Sequence, residues 1–448
     1  MPILLLLLNC FKDINLSHKN KNINEEFVFS IQQNDIGKIK GLIENGADVN
    51  FNNLYGINPL MYAASNGKAE IINILMDYKV DINHRNIYGN TALMYASQAN
   101  NLLSVKILLG KGADVNLENV NGETALMFAC QNKNFKLIEL LVESGANIFH
   151  KSKNGNIALM YASQYDNETA IDKLIKNNIQ SVNYKNYYGE TPLMYAAKRG
   201  HLNTIAFLMY NKANVNEKDI YGETALIHAI KHGHTKVAAS LLEKGANPNL
   251  INNEGQTALT IACKYGNESV IDFLLKSVAD LNYKDIHGFN SFMYASMYGY
   301  LRATMLLLIK GVKVDEKNFY GETALMMAAK NSHFKVVELL LNNGANFELT
   351  NNRGDTALMY ASSSPSNNLQ IIKLLVEKGS KINYKNNYGE TSLMFLARIS
   401  TLNSIKFLIE QGADARIQNI YGESSLNYAL QSPFLEVRDF FLKLGLFF

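Results

Sequence analysis

One phrase recurs along the chain at a nearly constant interval, and that period limits the fold more than any other feature. Tyr-Gly-Glu-Thr-Ala-Leu-Met returns in variants, its glycine falling at Gly56, Gly89, Gly122, Gly155, Gly189, Gly222, Gly255, Gly288, Gly321, Gly354, Gly389 and Gly422. Ten of the intervals are 33 or 34 residues and one is 35. A partial copy, Glu25 to Asn50, precedes them, so residues 25–448 read as about thirteen copies of one unit. A unit this short cannot bury a hydrophobic face by itself and is stabilised by stacking on its neighbours. With 448 residues the chain also exceeds the roughly 250–300 at which a single compact core stops growing.

Each copy decodes in the same way. Tyr88-Gly89 is turn chemistry, because glycine takes positive φ without steric cost. Thr91 follows as an N-cap whose hydroxyl can accept a backbone N–H near Met94. Eleven of the twelve copies place Thr, Ser or Asn there, Ile157 being the exception. Pro59 and Pro192 suit the first helical position, where an N–H is not needed. Leu93, Ala96 and Ser97 form an i, i+3, i+4 stripe on a first helix. Val337, Leu340 and Leu341 do the same on a second, which ends at Gly344. Residues 179–181 lengthen one connecting arm, and Ser363-Ser364-Pro365-Ser366-Asn367-Asn368 adds two residues between helices. The closing Leu446-Phe447-Phe448 is expected to fold back as a cap.

Gly-x-Thr-Ala/Pro-Leu-x-x-Ala, a second helix and Gly-Ala-Asp-Val-Asn together resemble the ankyrin repeat, and the resemblance covers residues 25–448. It implies an all-α solenoid of stacked antiparallel helix pairs with projecting β-turn arms, similar to bacterial proteins of that kind. It also implies binding of other macromolecules, without catalysis. One position departs from the family. The histidine that hydrogen-bonds within the turn is absent, and Met61, Met94, Met127, Met160, Met194, Met293, Met326, Met359 and Met394 stand in its place. Methionine is a flexible gap-filler, so these residues are expected to pack between repeats while the polar staple of the turn is lost.

Aromatic side chains recur in register. The residue before the helix-one alanine sits about 200° from the buried leucine, so it is expected to point away from the stack. That position holds Tyr62, Tyr95, Phe128, Tyr161, Tyr195, Tyr294, Tyr360, Phe395 and Tyr428. A second set marks the turn tips: Tyr55, Tyr88, Tyr188, Tyr221, Tyr320, Tyr388 and Tyr421. Tyrosine offers large contact area and a polar tip at low entropy cost. Two readings follow, a groove that binds a partner protein on the concave face and rings that only pack on one another.

Composition excludes several other functions. Forty-three basic against 40 acidic residues leave a formal charge of +3, without the basic excess of a nucleic-acid binder. Three cysteines make no disulfide framework, and no apolar run reaches the ~18–20 residues of a membrane span. No phosphate-binding loop, dinucleotide fingerprint or nucleophile elbow occurs, so neither catalytic residues nor a cofactor are expected. His228 and His232 have i, i+4 spacing, but Ala229-Ile230-Lys231 between them does not match the zinc-protease motif, and no metal site is assigned. His201, His234 and His333 share one repeat position, which indicates structure. Cys130 and Cys263 occupy a small buried position.

The first residues carry a separate signal. Leu4 to Leu8, then Asn9 and Cys10, resemble the end of a bacterial lipoprotein signal, in which the cysteine is lipidated; residues 1–24 would then be that segment and a polar linker. No Lys or Arg precedes the run, and Asn9 replaces the usual small residue. The expectation is therefore a protein-binding scaffold placed in the cytoplasm. A lipid anchor at Cys10 in the cell envelope, or export as an effector that binds host proteins, is the alternative.

Overall fold

The computed structural model describes residues 23–365, 368–399 and 402–444. They form two compact units divided in sequence after Ile220. The first contains six helix pairs: Ile23–Gln33 with Ile36–Glu44, Pro59–Ser65 with Ala69–Asp77, Ala92–Gln98 with Leu102–Gly110, Ala125–Ala129 with Phe135–Glu143, Ala158–Gln164 with Glu168–Asn177, and Pro192–Arg199 with Leu202–Tyr210. The second contains seven: Ala225–Lys231 with Thr235–Glu243, Ala258–Tyr265 with Glu268–Lys276, Ser291–Met297 with Leu301–Ile309, Ala324–Lys330 with Phe334–Asn342, Ala357–Ser362 with Leu369–Glu377, Ser392–Arg398 with Leu402–Glu410, and Ser425–Gln431 with Leu435–Lys443. Among the described residues there is no strand, only two isolated bridges, Glu118 to Thr124 and Gln418 to Ser424. The fold is an all-α repeat.

The first helices are seven residues long in most copies, far below the ~12–15 at which isolated helices become marginal. Caps and packing hold them. The Met94 N–H donates to Thr91 Oγ1 at 3.3 Å and the Met61 N–H to Asn58 Oδ1 at 2.9 Å, whereas Ile157 gives no such bond. Leu93, Ala96 and Ser97 are buried, as are all nine methionines of the histidine position. On the second helices Val337, Leu340 and Leu341 are buried too.

Neighbouring pairs are joined by polar contacts one period apart. At the start of helix two, His201 Nε2 meets Gln164 O at 2.9 Å and His333 Nε2 meets Met297 O at 2.9 Å. Asn101 Nδ2 donates to Ser65 O at 2.7 Å from the same position. In the arms, the Asp114 N–H donates to Asn83 Oδ1 (2.9 Å) and the Asp414 N–H to Asn383 Oδ1 (2.9 Å). A part-buried bond of this kind contributes about 1 kcal/mol net, and the same contact recurs at several junctions within each unit. The lengthened arm becomes a 3-10 helix, Ile179–Asn183, with Asn178 Oδ1 accepting from the Gln180 N–H at 2.9 Å. Of the later insertion, Asn368 Nδ2 donates to Ala329 O (3.0 Å) and Ala361 O (3.1 Å), while Ser366 and Asn367 lie outside the described residues.

Candidate partner-binding surface

The turn is organised by a residue two places before its tyrosine. Asn86 Oδ1 accepts from the Tyr88 and Asn90 N–H groups at 3.0 and 2.9 Å, and Asn86 Nδ2 donates to Tyr95 Oη at 2.8 Å. Asn419 does the same for Tyr421, Glu423 and Tyr428 at 2.9, 2.9 and 3.1 Å. The side-chain oxygen thus closes the turn, and its amide reaches the helix-one phenol. A polar staple is therefore present after all. It runs from Asn to Tyr where the family uses its histidine, and the asparagine spacing was the signal for it.

This staple corrects the orientation expected for the helix-one aromatics. Tyr62 is 1% exposed, Tyr95 3% and Tyr360 8%. Phe128 and Tyr294 are also buried, and Tyr161, Tyr195, Phe395 and Tyr428 are half-buried. A wheel with one buried stripe misplaces them because the turn arm roofs the opposite side of the helix. Several phenols also donate to the turn of the preceding copy: Tyr161 to Glu123 Oε1 at 3.1 Å, Tyr360 to Glu322 Oε1 at 2.6 Å and Tyr428 to Glu390 Oε1 at 3.1 Å. Burial, followed by the neighbouring carboxylate, pushes Tyr161, Tyr195, Tyr294 and Tyr360 above the usual phenol range, so they remain donors. These rings are interior parts of the repeat.

The turn tips are the exposed aromatic set. Tyr221 is 59% exposed and Tyr421 72%; Tyr188, Tyr320 and Tyr388 are exposed, and Tyr55 and Tyr88 half-buried. Beside them stands a set that the sequence reading missed: Leu54 (96% exposed), Ile87, Val120 and Tyr187 in the first unit, and Ile286, Phe319 and Ile420 in the second. An apolar residue recurring inside a turn, where polar residues are the norm, was its signal. Successive tips are zipped by main-chain bonds. The Ile87 N–H donates to Tyr55 O at 3.1 Å, Val120 to Tyr88 O at 2.9 Å, Phe319 to His287 O at 3.2 Å and Ile420 to Tyr388 O at 2.9 Å. Each unit thereby carries a ridge of apolar side chains on a bonded backbone.

Between tips and first helices the second unit opens a cavity of about 380 Å³, lined among others by Tyr320, Glu322, Lys330, Arg353, Asp355 and Tyr360. The histidine pair is turned to other partners: His232 Nδ1 lies 2.9 Å from His228 O, and buried His228 lies 3.5 Å from Glu223 Oε2. Their i, i+4 spacing does not bring the two rings onto a common ligand position. Cys130 and Cys263 are buried, and burial pushes both thiols up, away from nucleophile chemistry. Cys10, Leu4 to Leu8 and the closing Phe447-Phe448 lie outside the described residues. No described helix is long and apolar enough to cross a membrane.

A family model described as ankyrin repeats (three copies) matches residues 27–119, 105–186, 126–219, 169–252, 211–285, 292–386 and 366–446. No curated protein matches the chain.

Proposed function

The chain belongs to the ankyrin-repeat family, whose repeats are generally protein-interaction modules, and from that premise we propose that it is a protein-binding scaffold acting without chemistry on its partner. Contact is assigned to the tip ridge: Tyr55, Tyr88, Tyr188, Tyr221 and Tyr320 with their apolar neighbours, and to the groove behind it. The single observation that supports this most is the exposed apolar ridge on a hydrogen-bonded backbone. Soluble monomers rarely leave such side chains in ordered rows without use, and a rigid platform lowers the entropy cost of association. Tyr62, Tyr95, Phe128, Tyr294 and Tyr360 are given no contact role, and Tyr161 and Tyr195 only a marginal one.

A lipid-anchored placement of the same surface rests on Leu4 to Leu8 and Cys10. The test of the ridge uses Tyr187→Ala with Tyr188→Ala and Tyr421→Ala in the full chain. Helicity should stay at the wild-type value by circular dichroism, while recovery of a stoichiometric partner by cross-linking falls. Undiminished recovery of that partner would remove the tips from the interface.

A further inference from the structure

We infer that the cavity of the second unit receives an acidic side chain of the bound protein. This rests on the protein-binding reading and names the chemistry of one contact within it. Among its lining residues is Ser363, a short side chain at the repeat position where Lys198, Lys231, Lys264, Lys330 and Arg398 occur in other copies. At about 30 Å³ per water the cavity has room for about a dozen waters, enough for a side chain and its flanking backbone.

Its acids are already satisfied from inside. Glu322 Oε1 accepts from Tyr360 Oη at 2.6 Å and Oε2 from Asn318 Nδ2 at 2.8 Å. Asp355 Oδ1 accepts from Asn386 Nδ2 at 2.7 Å and Oδ2 from Asn351 Nδ2 at 3.2 Å. Its cations are held differently. Elsewhere the helix-end lysine pairs with the turn acid of its own copy, as Lys231 does with Glu223 at 2.5 Å and Lys198 with Glu190. Lys330 makes no ion pair within 4 Å among the described residues and lies over the Tyr360 ring, 5.7 Å from its centroid. The Arg353 nitrogens stand 3.8 Å from Asp355 and 3.9 Å from Glu390, beyond hydrogen-bonding distance, with the guanidinium 5.1 Å from the Tyr388 ring centroid.

The donors left to recruit a ligand are thus an ammonium and a guanidinium beside aromatic walls. An incoming carboxylate can take charge-assisted bonds from both, and its aliphatic stem can lie on the Tyr320 and Tyr360 rings. Partial shielding by the cavity walls makes such a pair stronger than an exposed one.

The probes are three fluorescein-labelled peptides of Gly-Leu-X-Tyr-Gly with X as glutamate, glutamine or lysine, titrated by fluorescence polarisation against the full chain. The glutamate peptide should bind about tenfold more tightly than the glutamine one. That preference should vanish in Lys330→Gln and Arg353→Gln at unchanged circular dichroism, and persist in Lys335→Gln, whose lysine pairs with Glu338 on the second helix. Equal binding of all three peptides, or saturable binding of none, overturns the inference. In either case the scaffold reading is judged separately, by the tip variants and the partner they recover. Displacement of the bound glutamate peptide by free glutamate at equal concentration would also overturn it, since the site would then serve a small carboxylate.

Discussion

At the residue scale, the two tyrosine sets do different work although they look alike in sequence. Tyr360 Oη accepts from Asn351 Nδ2 at 2.9 Å and donates to Glu322, so Tyr360→Phe removes two hydrogen bonds, one of them to a carboxylate. It should lower stability by about 1–3 kcal/mol, read from the urea midpoint. Tyr388→Phe at an exposed tip should change it by less than about 0.5 kcal/mol. The acid side of the staple gives a pH dependence. Burial pushes the Glu190 carboxyl up, but hydrogen bonds from Lys198 and Asn186 reverse this and hold it below the usual range. A lowered native pKa means that the unfolded chain binds more protons. The contribution is therefore full above the unfolded value near ~4.3 and is lost as pH falls through the native one. Glu190→Gln should flatten the loss of stability between about pH 5 and 3 in acid titration, and an unaltered slope would remove Glu190 from the account.

At the scale of the element, the turn glycines are unequal. Gly321 has φ +77°, and a Cβ there would stand 2.5 Å from Asn352 Oδ1 and 2.7 Å from Asn352 N, the group that donates to Tyr320 O. Gly344 has φ +84° but open space around it. Gly344→Ala should cost about 1 kcal/mol through its backbone conformation alone. Gly321→Ala should cost at least about twice that, because it also parts two tips. Differential scanning calorimetry would rank them, and equal losses would mean that the ladder adds nothing. The helices, their caps and the methionine core were legible because the period repeats each clue a dozen times, as at Thr91, Ala96 and Met94. The fate of Tyr62 and Tyr95 was not, because a wheel describes one helix and the arm that covers them comes from elsewhere in the repeat. Nor was the cavity, whose lining joins Glu322 and Lys330 of one copy to Arg353, Tyr360 and Ser363 of the next.

At the scale of the whole molecule, placement is decided by the first residues. If Cys10 is lipidated, native protein should enter the detergent phase on phase partitioning, Cys10→Ala should stay in the aqueous phase, and intact mass should show an acylated cysteine. Both proteins in the aqueous phase with residues 1–9 retained would place the scaffold in the cytoplasm. A second prediction concerns length. The bonds of the tip ladder and the arms each join a residue to one about a period away, as Ile87 to Tyr55 and Asp114 to Asn83. Deleting 90–122, from one glycine to the next, should therefore leave a protein of unchanged helicity per residue that still melts cooperatively. Deleting ten residues fewer should abolish that cooperativity. A chain whose joints all span one period can therefore be lengthened or shortened by whole copies, its reach changing in fixed steps while each new junction still obeys the old bonding rules.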